Sequence, residues 1–393
     1  MEESHIEEVE SQNKVIEVAP ALISVHPSQK YVAVVRIFVE NQAVTLVDES
    51  DGSSHKDSIR AIRYGASGKL FVSAGDDKLV KVWSAEASEK RVSAVAVNGN
   101  DSHVCYADKF GVVWVVELDG IDDEGEVLLP SKKGAPLLSH YCSIITSLEF
   151  SPDGRYILSA DRDFKIRVTV FPKEPLQGAH EIQSFCLGHT EFVTCIAFVW
   201  NPELTQGYLM SGSGDSTVRL WDTTSGSLLN TCEVSTMAGH LESNESEPMQ
   251  VTVTDICAIP NTCSAAVSIQ RQVIKIPGES FIPTSISLST STTLLWMVSG
   301  ASNGSNHPAG YSRVRVISGI ETGPSSVLED ELIPGGTKLL EKLQGKVSVE
   351  ESVMSAAAEA VRAAMSSLLM KKQYSDEKRE FRKRSRNDKK TTH

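Results

Sequence analysis

The stretch that decides the fold is LGHTEFVTCIAFVWNPELTQGYLMSGSGDSTVRLWD, residues 187–222. It opens on Gly188-His189, runs through an alternating apolar segment, turns at Asn201-Pro202, and re-enters an apolar run at Tyr208. A Gly/Ser/Asp-rich turn, SGSGDS, then leads into a third run that ends in Trp221-Asp222. Alternation with a period of two predicts strands with one covered face, and the Gly-rich turn predicts a tight hairpin. Two other segments repeat the plan: SIRAIRYGASGKLFVSAGDDKLVKVW at 58–83 and IITSLEFSPDGRYILSADRDFKIRVTV at 144–170. Alignment of the three places Asp77, Asp163 and Asp215 at one turn position and Lys81, Arg167 and Arg219 at one strand position. More degenerate units fall at about 20–50, 92–118, 251–278 and 282–318.

Repeats of this length, Gly-His at one end and Trp-Asp at the other, resemble the WD repeat. The resemblance implies four-stranded blades that cover one another's faces in a closed ring. The expected architecture is all-β, a seven-bladed WD-repeat β-propeller over residues 18–320, preceded by an acidic flexible N-terminus at 1–17. Residues 321–372 read as a linker and C-terminal helix, with Ser348 and Glu351 spaced as a capping box ahead of an Ala-rich run. Residues 373–393 read as a disordered basic tail, too poor in apolar groups to order by burial. The polar segments 120–136 and 235–250 read as surface loops.

Composition sets bounds on function. The chain has 393 residues, 40% hydrophobic and 23% charged, with a net charge of −13. Residues 371–393 hold ten Lys and Arg against four Asp and Glu, so the remainder carries −19. An acidic body does not offer the basic stripe that nonspecific nucleic-acid binding wants. The seven cysteines include no CxxC pair and no zinc-like Cys/His spacing, which fits buried thiols in a reducing compartment. The start, MEESHIEEVE, lacks the features of a secretory signal, and no apolar run is long enough to predict a membrane span.

His189, Ser211, Asp215 and Trp221 sit at WD-repeat positions where side chains tie inner strands to outer ones, so they are assigned to stability rather than to a Ser-His-Asp catalytic triad. Asp77 and Asp163 take a turn role, since Asp bonds neighbouring backbone amides there. SGSGDS lacks the GxxxxGK[ST] pattern and the following helix of a phosphate loop. Lys165 and Arg167 occupy alternate positions of one strand and so point to one face. They are either solvated strand charges or a pair that meets carboxylates on a partner. In the tail, Lys378, Arg379, Arg382, Lys383, Arg384 and Arg386 fit a nuclear localisation signal, an RNA-attracting arm or a solubilising end, and nuclear targeting is the favoured reading.

At ADKFG (107–111), LSADRDFKIRVTVFP (158–172), SFCLGHTEFVT (184–194) and SGSGDSTVRLWD (211–222) the sequence closely resembles the non-catalytic WD-repeat subunits of the tRNA (guanine-N7-)-methyltransferase. That resemblance implies a heterodimer with a separate catalytic subunit that carries S-adenosylmethionine, with no cofactor or metal in this chain. It implies formation of 7-methylguanosine in the variable loop of tRNA and contact with tRNA through the complex, while the basic tail is what points to a nuclear location. It also implies partner binding by Lys165 and Arg167, with Arg162 and Asp161 shaping the contact, although Asp161 reads equally as a turn residue. Phe164 stands where the motif more often has a polar residue. The rival readings are a general WD-repeat scaffold or ubiquitin-ligase substrate adaptor, and a propeller enzyme with acids converging on the central channel.

Overall fold

The structure, a computed structural model, describes residues 22–27, 32–36, 43–45, 59–68, 70–82, 85–86, 92–118, 134–140, 143–199, 207–234, 251–259, 265–269, 282–288, 294–301, 311–320, 325–333, 336 and 340. The expected N-terminus at 1–17, the helix from 348, the basic tail and the loop at 235–250 lie outside the described residues, as does most of the loop at 120–136.

Strands β1 (Leu22–Val25), β2 (Val32–Arg36) and β3 (Ala43–Thr45) form a three-stranded sheet. The first blade is β4 (Ile59–Tyr64), β5 (Phe71–Gly75), β6 (Val80–Val82) and β7 (Ala85–Glu86). The second is β8 (Val92–Val97), β9 (His103–Asp108), β10 (Val112–Glu117) and β11 (Ala135–Ser139). The third is β12 (Ile145–Phe150), β13 (Tyr156–Asp161), β14 (Lys165–Val170) and β15 (Ile182–Leu187). The fourth is β16 (Val193–Val199), β17 (Tyr208–Ser213), β18 (Thr217–Asp222) and β19 (Leu228–Glu233). β20 (Val253–Ala258) and β21 (Ala265–Ile269) form a two-stranded sheet, and the fifth blade is β22 (Ile282–Leu288), β23 (Leu295–Ala301), β24 (Tyr311–Ser318) and β25 (Ser326–Val327).

The fold is therefore an all-β WD-repeat propeller, but with five four-stranded blades among the described residues rather than the expected seven. The units at 20–50 and 251–278 are the two that fall short. Neither contains a tryptophan, and among the described residues the first forms a three-stranded sheet and the second a two-stranded one. Among the described residues helical structure is confined to a 3-10 turn at Pro175–Gln177 and single helical positions at Val234, Gly336 and Leu340, and no helix is long and apolar enough to cross a membrane.

Register follows the repeat. Ser73 faces Lys81, Ser159 faces Arg167 and Ser211 faces Arg219 across the second hairpin of their blades. The turn that joins these strands bends through a left-handed residue at Lys78, Phe164 and Ser216, with φ of 68, 70 and 64°. Gly111 holds the equivalent place in the second blade at φ 85°, where a Cβ would run into the Ser143 carbonyl oxygen.

The innermost strands contact one another in the order β1, β4, β8, β12, β16, β20, β22 and back to β1, enclosing a central channel of about 630 Å³. Among the described residues no strand is shared between the sheets that meet where the ring closes. Side chains close that seam. Ile333 and Leu340 pack with Ile23, Val25, Val32 and Val34 of the three-stranded sheet and with Trp296, Val298, Val314 and Val316 of the fifth blade. The Leu328 amide donates to the Val316 carbonyl at 2.8 Å, and Asp330 pairs with Arg315 at 3.3 Å, tethering the segment on its way. Leu340→Ala should therefore lower stability by about 2–5 kcal/mol, read as an earlier urea midpoint with an unchanged slope.

Candidate functional site

Lys165 and Arg167 both leave one face of β14, and the pairing with β15 sets Lys165 opposite Leu187 and Arg167 opposite Phe185. Directly opposed residues in antiparallel strands share a face, so two cations and two apolar side chains form one compact square. The Lys165 side chain is 46% exposed, Leu187 59% and Phe185 44%. Arg167 is held in place. Its Nε donates to Thr169 Oγ1 and its Nη1 to the Ser139 carbonyl, both at 3.1 Å, the second bond crossing to the second blade. Nη2 has no protein acceptor among the described residues, and burial lowers the guanidinium pKa without discharging it.

Asp161 shapes this face from within. It is fully buried; Oδ1 accepts the amides of Asp163 at 2.8 Å and Lys165 at 3.1 Å, while Oδ2 lies 2.9 Å from His140 Nδ1 and 4.0 Å from Lys165 Nζ. His140 Nε2 in turn meets Ser159 Oγ at 2.7 Å. The second blade repeats the device, with Asp108 accepting the amides of Phe110 and Val112 and the Trp114 indole N–H. Arg162 stands in the same turn, its amide bonded to the Ile144 carbonyl. Its Nε and Nη2 are buried without an acceptor, and burial lowers its pKa against the opposing effect of Asp163. The Asp161 carboxylate thus presents the motif's cations without being part of the outer surface.

In the fourth blade His189 Nδ1 lies 2.8 Å from Asp215 Oδ2 and Nε2 lies 2.7 Å from Ser211 Oγ, which accepts the Trp221 indole N–H at 2.8 Å. This is the connectivity of a hydrolytic triad, and so is Ser159-His140-Asp161. In both, the serine is fully buried, and Ser211 is further occupied by Trp221, so neither hydroxyl can reach a substrate. Asp77 Oδ1 accepts the Leu79 amide at 3.2 Å, an Asx turn. In the channel, Arg63 reaches Glu149 at 3.4 Å, and Asp255 has both oxygens occupied, by the amides of Ile256 and Ile286. Burial raises the pKa of Glu149 and of Asp255, against Arg63. Among the described residues no group of three His, Cys, Asp or Glu could hold a metal ion.

Sequence reasoning missed Phe185 and Leu187. Their signal lies within SFCLGHTEFVT, where they flank Cys186 at alternate positions, but placing them beside Lys165 and Arg167 requires the register.

Blades, turns and the His-Ser-Asp-Trp set define the class as a WD-repeat β-propeller, and residues 50–84 match the WD domain, G-beta repeat family. Residues 129–281 match the tRNA methyltransferase TRM82 WD40 domain family. Among curated relatives, the chain is 31% identical over 243 residues to the tRNA (guanine-N(7)-)-methyltransferase non-catalytic subunit of Dictyostelium discoideum, covering 56% of this chain and 50% of that one. It is 36% identical over 196 residues to the subunit of the same name in Mus musculus, covering 48% and 43%. With the subunit of the same name in Homo sapiens it shares 36% over 188 residues, covering 46% and 41%. The matched part spans half or less of each of these relatives. The resemblance drawn from the motifs is thus to this group of proteins, and their names, as non-catalytic subunits, agree with the reading of this chain as one without an active site.

Burial alone would raise the Asp215 carboxyl, but hydrogen bonds from His189 and Thr217 outweigh it and hold the group well below the usual carboxylate range. A depressed carboxylate contributes its stability in full above about pH 4 and loses it as pH falls through the folded value. Asp215→Asn should accordingly flatten the acid limb of a stability–pH curve. His189→Ala, which strands a buried carboxylate, should cost about 3 kcal/mol at pH 7 in chemical denaturation.

Proposed function

We propose that the chain is the non-catalytic subunit of a heterodimer, binding and stabilising a catalytic tRNA guanine-N7 methyltransferase that forms 7-methylguanosine in the variable loop of tRNA. S-adenosylmethionine and the reacting atoms belong to the partner, and tRNA is met through the complex. The observation that carries the reading is the Arg167 guanidinium, fixed by two hydrogen bonds with Nη2 left over, beside the exposed Lys165. Both lie within the residues that match the tRNA methyltransferase TRM82 WD40 domain family. A guanidinium already ordered loses little entropy on meeting a carboxylate, so the contact suits a stable complex. A partner held by one face is biased toward the state that fits that face, which is how a subunit without chemistry raises activity.

Two charge-assisted hydrogen bonds are each worth roughly 1.5 kcal/mol, so losing both should weaken binding about 100-fold. On co-expression with the methyltransferase subunit, the intact chain should co-purify one-to-one and support tRNA methylation, and the Lys165→Glu, Arg167→Glu variant should not. Failure of the intact chain to bind would move the reading to a general scaffold, and full activity of the catalytic subunit alone would remove the stabilising role. The nuclear location we propose rests on the basic tail. Deleting 373–393 should move a fluorescent fusion out of the nucleus, and unchanged distribution would reject it.

A further inference from the structure

Scattered exposed apolar side chains are ordinary on a protein surface, whereas a cluster around a charged pair marks an interface. Ten large apolar side chains are more than about a third exposed among the described residues, and four of them, Phe110, Phe164, Phe185 and Leu187, lie in the motifs that surround Lys165 and Arg167. The two blades that carry them are joined at this point. His140 donates its amide to the Gly111 carbonyl at 2.7 Å, Val112 pairs with Ser139, and Arg167 reaches the Ser139 carbonyl. The turn with Phe110 is thereby linked to β14, and Lys109 lies 5.0 Å from the centre of the Phe110 ring.

We propose that the binding face for the methyltransferase subunit is half apolar, with Phe185 and Leu187 on β15 and Phe164 and Phe110 at the adjoining turns receiving apolar side chains while Lys165 and Arg167 receive carboxylates. The proposal rests on the partner reading above and specifies its chemistry. Cys186, between Phe185 and Leu187, is 1% exposed and points into the core, so the strand's alternation is intact. Phe185 and Leu187 are therefore not core residues displaced by a slipped register. The geometry also sets the complementary pattern. Lys165 and Arg167 are about 7 Å apart along the strand, and each has its apolar neighbour about 5 Å away across it. The partner must carry two carboxylates at that separation, each flanked by an apolar group. Charge alone is a poor glue here, because the rest of the chain is strongly acidic and repels a carboxylate-bearing surface at long range. Apolar contact is insensitive to screening and supplies the lasting part of the attachment.

The test measures association and dissociation of the full chain with the catalytic subunit at low and high salt. Phe185→Thr, Leu187→Thr should speed dissociation at least about tenfold, leaving association and its salt dependence unchanged. Lys165→Glu, Arg167→Glu should slow association and reverse its salt dependence, added salt then screening the repulsion. Phe110→Ser, on the other blade and at a turn tip, gives a second reading independent of β15, expected to speed dissociation in the same way. Native thermal midpoints for each variant confirm folding. If the apolar variants dissociate like the intact chain while the charge variant fails, the apolar half is refuted and the partner reading stands. If the charge variant binds as well as the intact chain, Lys165 and Arg167 are not contacts and the proposed face falls while the partner reading stands; if the intact chain does not bind, the partner reading itself falls.

Discussion

A sheet has two faces, and a blade of four short strands can shield neither by itself. Each blade here is stable only because the next one lies against it, and the ring is the arrangement in which no blade is last. The clusters show the rule at work: Leu158, Ile166, Val168 and Cys186 of the third blade share one core with Ile196, Leu209 and Trp221 of the fourth. The same condition explains why Trp221 is completely buried although it sits in a third strand. Its ring fills the gap between blades, and its indole N–H finds the Ser211 hydroxyl.

The polar interior follows from that packing. A hydroxyl, imidazole and carboxylate taken between two blades must satisfy one another, and the Ser-His-Asp sets of the third and fourth blades do so with distances of 2.7–2.9 Å. Apart from the Trp221 bond to Ser211, they differ in the position of the acid. In the fourth blade the carboxylate is Asp215, within the turn, whereas in the third it is Asp161, at the end of β13. Shifting the acid by two residues leaves the imidazole contact unchanged and frees the turn to carry Phe164 and Lys165 outward.

The repeat at 187–222 is legible because its alternation, turn glycines and Trp-Asp ending all agree, and the copies at 58–83 and 144–170 inherit its register. The faint units are less legible. Those at 92–118 and 282–318, completed by β11 and β25, build four-stranded blades, while among the described residues those at 20–50 and 251–278, with comparable alternation, form sheets of three and two strands. Alternation reports a covered face and says nothing of how many strands share it. At the site, the common face of Lys165 and Arg167 is readable from their spacing. The burial of Asp161 is not, because Asp161 and Asp163 stand two apart beside one turn and only the fold decides which carboxylate turns inward. Phe185 and Leu187 read as core residues in any strand, and they are left open only because β15 is the outermost strand of its blade.

The seam closed by Ile333 and Leu340 has a consequence for biogenesis. The first sheet meets the last through β22, β23 and β24, so the ends of the ring stay apart until the fifth blade and the residues that cover it are available. During synthesis from the N-terminus, Val25 and Val34 wait uncovered while nearly three hundred residues follow them through the ribosome. Covering of that edge therefore comes late in translation, after the fifth blade has emerged.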